Sequence, residues 1–302
     1  MLPALAVPAW HVGAEATMRT ILVNLEMSPV LDSVLQCGLL VAQRFGSYIE
    51  GLHMRPGQPD IIAAGADGFV AAAPDLVASF EREARERADR AREAFEAFTN
   101  RHGLPRTAGQ PAGAGVCADW RIEASSGHAA IGGIGRVFDL LVLGRPLRDS
   151  VSPSMAALET ALFESGRPLL IAPPEAPRQL GRNIVIAWNC STETARTVAF
   201  AMPFLIQAER ITVLTVQKGT VPGPSAAELA RNLQRHGLNV DWREVPSGDR
   251  GPGETVLQQA RELGADLLIK GAYTQSRLRQ LIFGGVTSHI LAESELPVIM
   301  AH

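Results

Sequence analysis

The chain has only three cysteines in 302 residues, Cys37, Cys117 and Cys190, far apart and with no C-x-x-C pair. That scarcity supports neither a disulfide framework nor a thiolate zinc site, and buried free thiols in a reducing compartment are the expectation. Strong charge of either sign is also missing: the net charge is −3 at pH 7, so no general attraction to nucleic acid or an anionic membrane is expected. No apolar run approaches the roughly 20 residues of a membrane span. The first 17 residues contain no Lys or Arg and are interrupted by Pro3 and Pro8, unlike a secretory leader, so they read as a flexible extension with Met18 as a second candidate start. The seven histidines are scattered without an i, i+4 pair, and no metal site is expected. There is no Walker loop and no G-x-S-x-G elbow around Ser191, hence no nucleophile with its base. A cytoplasmic protein follows as the expected setting.

What is present is ordinary globular composition, 46% hydrophobic and 20% charged, in a chain long enough for two cores. Strand-like runs at Thr20 to Asn24, Ser47 to Met54, Val116 to Glu123, Leu140 to Leu143 and Pro168 to Ala172 alternate with helical patterns. The longest helical pattern, Asp75 to Asn100, carries an apolar stripe of Phe80, Ala84, Ala88, Ala91, Phe95 and Phe98 spaced by three and four. Gly132-Gly133-Ile134-Gly135 resembles a dinucleotide loop, but the repeat described next aligns it with the interior of a helix.

After the linker-like Pro173 to Gly181 the pattern starts again. FDLLVLGRP at Phe138 matches ADLLIKGAY at Ala265, TILVNLEMS at Thr20 matches NIVIAWNCS at Asn183, and both halves end in a proline-led apolar strand. Two β/α units in tandem follow, each an open, mainly parallel five-stranded sheet with helices on both faces. The expected boundaries are an extension over 1–17, a first domain over 18–175, a linker over 176–181 and a second domain over 182–302. Ligands of such sheets bind beyond the carboxyl ends of the strands where strand order reverses, which points to the first and fourth loops of each half.

The fourth loop of the second half is the most ligand-like stretch. Gly271 follows a buried strand, and Gly284-Gly285-Val286-Thr287 opens an apolar-periodic helix whose first amides lack intrahelical partners. Lys270, Arg277 and Arg279 are nearby in sequence. With hydrogen bonds to an anion at about 1.5–3 kcal/mol each, two or three of them suffice for micromolar binding after the association cost.

On these residues the chain resembles a tandem universal stress protein over nearly everything from Met18 to His302, with the adenine-nucleotide alpha-hydrolase-like fold. Nucleotide-binding members of that family carry Gly, two residues, Gly, nine residues, Gly, then Ser or Thr, and an Asp in the first loop. Here the spacing is kept with Gly271, Thr274, Gly284 and Gly285, and the first-loop position is Asn189 in the second half and Glu26 in the first. Asn189 keeps an acceptor oxygen, adds a donor and loses the charge, and Trp188 beside it is bulky enough to crowd a purine. The resemblance implies an ATP or AMP site in the second half, formed by Ala187, Asn189, Ser191, Val216, Gly271, Thr274, Arg277, Gly284, Gly285, Val286 and Thr287. By its own pattern Ser191 also reads as a helix cap. In the first half Gly144 is retained, but Pro146 stiffens the loop, Met155-Ala156 replaces the glycine pair, and Ser154 reads as a helix N-cap; no nucleotide is expected there.

The function implied is a stress-response protein with a regulatory nucleotide, no catalytic residues, at most slow ATP hydrolysis and no metal. The two halves would form an intramolecular pseudo-dimer, a further homodimer being left open. The alternative is an interaction module with vestigial sites that acts through dimer surfaces. An enzyme on a related nucleotide-binding scaffold is a third reading.

Overall fold

A computed structural model describes residues 18–55, 74–106, 115–123, 130–147, 150, 152–248, 250–272 and 285–302. The first half contains β1 (Thr20–Asn24), α1 (Leu31–Phe45), β2 (Tyr48–Met54), α2 (Pro74–Arg101), β3 (Cys117–Glu123), α3 (Ala130–Gly135), β4 (Leu140–Gly144), α4 (Met155–Glu164) and β5 (Leu169–Ala172). The second contains β6 (Asn183–Ala187), α5 (Thr192–Phe200), α6 (Met202–Ile206), β7 (Arg210–Val216), α7 (Ala226–Arg235), β8 (Val240–Val245), α8 (Pro252–Glu262), β9 (Leu267–Gly271), α9 (Val286–Glu293) and β10 (Val298–Ala301).

The expectation of two five-stranded sheets is corrected. The strands form one ten-stranded sheet in the order β3-β2-β1-β4-β5-β10-β9-β6-β7-β8. The join is antiparallel, Ile171 opposite Val298 and Leu169 opposite Met300, whereas the other pairings are parallel. The physical reason is the edge each half would otherwise expose. β5 and β10 are entirely apolar and buried, and an uncovered edge of that kind leaves backbone donors and acceptors unpaired beside hydrophobic side chains.

Helices cover both faces. One cluster joins α1, Phe95 and Phe98 of α2, and α5, α6 and α7; the other joins α3, α4, α8 and α9. The α2 stripe packs as its spacing predicts at Ala84, Ala88, Ala91, Phe95 and Phe98, while Phe80 stays half-exposed. The glycine tetrad lies in α3, where a Cβ on Gly132 would stand 2.8 Å from the Thr160 carbonyl oxygen. Close packing of α3 on α4 accounts for it.

The aspartate repeated in the two DLL segments has a structural role. Asp139 Oδ2 accepts from the backbone N–H groups of Arg19 and Thr20. Asp266 accepts likewise from Gly181, Arg182 and Asn183. Each carboxylate thus satisfies amides where the first strand of its half begins. The linker and the second half both pack on α1: Arg44 donates to the Leu180 carbonyl at 2.9 Å, and Phe45 meets Phe204 of α6 edge-on with ring centroids 5.0 Å apart.

Candidate functional site

Strand order reverses between β1 and β4 and again between β6 and β9. The carboxyl ends of β6 and β9 therefore lie side by side at a strand-order reversal, the place where open α/β sheets bind ligands. α9 starts there. Its N-cap is Gly285, with extended backbone and no side chain to bond the first turn, and the amino end of the helix dipole attracts anions.

Ala187 at the end of β6, Val216 at the end of β7, and Val286 pack in one apolar cluster with Ala272 and Ile290. Thr287 joins them through Lys270, whose Nζ pairs with Thr287 Oγ1 at 2.6 Å and donates to the Gly271 carbonyl at 2.9 Å. Lys270 is only 6% exposed; burial pushes its amine down to about 7. Thr274, Arg277, Arg279 and Gly284 lie outside the described residues.

Asn189 and Ser191 serve α5. Ser191 is its N-cap, accepting from the Thr194 amide at 3.2 Å. Asn189 Oδ1 accepts from the Ser191 hydroxyl at 2.8 Å and from Thr194 Oγ1 at 2.5 Å. This side chain therefore holds a loop in shape, and Cys190 between them takes a left-handed φ of 66°.

Trp188 does not crowd this face. It is 4% exposed and belongs to the opposite cluster with Ile184, Ile186 and Ala226, and its indole N–H donates to the Pro224 carbonyl at 2.8 Å. Alternation along β6 decides the matter, since Ala187 and Trp188 point to opposite faces.

Gly271 also differs from expectation. It is the last residue of β9 and not the residue after the strand. A Cβ there would stand 2.3 Å from the Thr194 amide nitrogen and 2.6 Å from the Glu193 carbonyl carbon, so the start of α5 lies directly against this backbone. His289 is half-buried, with its Cβ 3.0 Å from where a Cβ on Gly253 would stand.

The matching region of the first half is filled. Glu26 Oε2 accepts from the Ser154 amide at the start of α4 at 2.8 Å, and Oε1 accepts from Asn24 Nδ2 at 2.8 Å. Ser154 caps α4 through the Ala157 amide. Over Gly144, Pro153 Cγ and Val30 Cγ2 each lie 2.6 Å from where a Cβ would be. The sequence reading missed the Glu26 contact, because 128 positions separate its partners.

Among the described residues no group of three or more His, Cys, Asp or Glu could hold a metal ion. Cys37 and Cys117 are buried and Cys190 is half-buried, all three as free thiols. No helix among the described residues is long and apolar enough to cross a membrane.

Known proteins resemble the chain in sequence over part of its length and in fold over nearly all of it. Over 74 residues the chain is 35% identical to the stress response protein NhaX of Bacillus subtilis (strain 168), an alignment spanning 24% of this chain and 42% of that protein. The crystal structure of a universal stress protein from Archaeoglobus fulgidus DSM 4304 superimposes with a TM-score of 0.67 at 14% identity, covering 95% of this chain and 97% of that one. A putative universal stress protein from Pseudomonas aeruginosa UCBPP-PA14 gives 0.52 at 16% identity, with 96% and 95% covered. The universal stress protein family itself matches residues 181–302. Residues 181–302 are thus a universal stress protein domain, and the likenesses that span the whole chain are likenesses of fold.

Proposed function

We infer that this chain is a stress-response protein of two paired universal stress domains. Its second half binds an adenine nucleotide, ATP or AMP, as a regulatory ligand and not as the substrate of an efficient reaction. The observation that carries the reading is the amino end of α9: a helix start with a glycine N-cap at the strand-order reversal, where half-buried Val286 packs on the apolar cluster that holds buried Ala187 and Val216. The helix start offers amides to a phosphate and Val286 an apolar surface to a base. The name of the Bacillus relative supports the stress-response role. The free thiols support a reducing compartment, and we place the protein in the cytoplasm.

Gly285 makes the proposal testable without damage to the fold. Its φ is −83° and a Cβ there meets nothing within 4 Å among the described residues. Gly285→Ser supplies a hydroxyl to the bound phosphate and is expected to tighten ATP binding by about five- to tenfold, a gain of roughly one hydrogen bond. Gly285→Trp is expected to abolish it. Equilibrium dialysis with ATP reads both; no saturable binding at millimolar nucleotide to the parent protein or the serine variant would sink the proposal.

A second reading draws on specific contacts. Asn189, Ser191 and Gly271 are all engaged by α5, so these motif positions are explained without a ligand. On that reading the fold persists for its interaction surfaces and the same dialysis finds nothing.

A further inference from the structure

We propose that the first half carries its own anionic ligand: the Glu26 carboxylate fills an anion position at the amino end of α4 that corresponds to the α9 position in the second half. The inference does not depend on nucleotide binding by the second half.

Three observations bear on it. Repeat alignment places Glu26 at the first-loop position occupied by Asn189 in the second copy, and the two side chains behave differently. Asn189 turns toward α5 within its own loop, whereas Glu26 reaches across the strand-order reversal to the Ser154 amide. A carboxylate at that point takes a charge-assisted hydrogen bond and faces the positive end of the helix dipole.

The second observation is Asn24, 4% exposed at the end of β1. Its Nδ2 is spent on Glu26 Oε1 at 2.8 Å, while its Oδ1 is buried without a partner. A buried orphan acceptor is costly. Here its amide is held in the orientation that serves the carboxylate, so the polar groups of this corner are arranged around an anion.

The third is the contrast between helix starts. α4 has the Ser154 hydroxyl on the Ala157 amide and the Glu26 carboxylate on the Ser154 amide, whereas α9 begins at a glycine with no side chain to offer. One copy supplies its anion from within the chain; its partner has no such group at the N-cap. The first half is therefore held in an occupied-like state by its own side chain.

The test is chemical rescue. Glu26→Ala removes a methylene and a carboxylate, the atoms that acetate restores. The variant is made on a Gly285→Trp background, so that anions at α9 do not contribute. Thermal melts are recorded at neutral pH in sodium acetate, sodium phosphate and sodium chloride at equal ionic strength. Glu26→Ala is expected to lower Tm by roughly 3–6 °C in chloride, as for a lost charged hydrogen bond in a chain of this size. Acetate or phosphate should restore at least half of that loss while leaving the Glu26-containing protein unmoved. Glu26→Gln, which fills the space with a neutral amide, should be less stable than Glu26 and insensitive to both anions. An unchanged Tm in Glu26→Ala, or equal responses of all three proteins to the anions, would overturn the proposal. If Glu26→Ala does not fold in chloride, recovery of folded protein in acetate or phosphate supports it, and a Glu26→Gln variant as stable as the Glu26 protein overturns it.

Discussion

Gly271→Ala is expected to destabilise the protein by about 3 kcal/mol, the upper end of the range for overpacking a filled interior. The added methyl would lie 2.3 Å from the Thr194 amide nitrogen, 2.6 Å from the Glu193 carbonyl carbon and 2.6 Å from Thr194 Oγ1. Two of these are backbone atoms of α5, which cannot swing aside as a flexible side chain can. α5 must therefore move off β9, and its contacts with Ser191 and Asn189 move with it. The urea midpoint in the absence of nucleotide is the measurement. A loss below about 1 kcal/mol would show that α5 yields easily, and the structural account of this glycine would fail.

Lys270→Met is expected to act in the opposite direction, stabilising the protein by roughly 1–3 kcal/mol at pH 7, as when a buried charge-bearing group is replaced by an apolar one of similar volume. The gain is net of the hydrogen bond lost at Thr287 Oγ1. Burial lowers the amine from 10.5 to about 7. Between those two values the unfolded chain holds a proton that the folded chain has given up. Lys270 therefore makes stability rise with pH across that window, by at most about 1.4 kcal/mol per unit, and adds no slope above or below it. The methionine variant should lose this slope. Denaturation at several pH values between 7 and 10 checks it, and identical slopes in the two proteins would refute the assignment.

Much of the fold was legible because strand and helix periods are local properties. TILVN at Thr20 and the α2 stripe read directly as β1 and a packed helix. The single sheet was not legible, since LLIA and VIMA each say that a strand is buried and not what lies beside it. Trp188 was misplaced for a related reason. β6 is apolar on both faces, so alternation offers no polar phase from which to tell inside from outside.

For the candidate site, sequence pointed to the strand-order reversal but not to the use of each residue. In the sequence Gly271 reads as a ligand-binding glycine beyond a strand, whereas it ends β9 and lies against the start of α5. Glu26 was noted as a departure at a motif position, while its partner on α4 is a backbone amide, which no side-chain pattern can announce. Lys270 was the one signal available in full. A cation inside the apolar run LLIKG had to be buried or to face a ligand, and the structure buries it against Thr287.

The central claim is that the two halves have parted in function, the first closed by its own carboxylate and the second open to a nucleotide. The stoichiometry of ATP per chain at saturation, measured by calorimetry on the full protein, tests it most directly. One site per chain is the predicted result, lost in Gly285→Trp and kept when Glu26 is unchanged. Two sites, or one that survives Gly285→Trp, would contradict it.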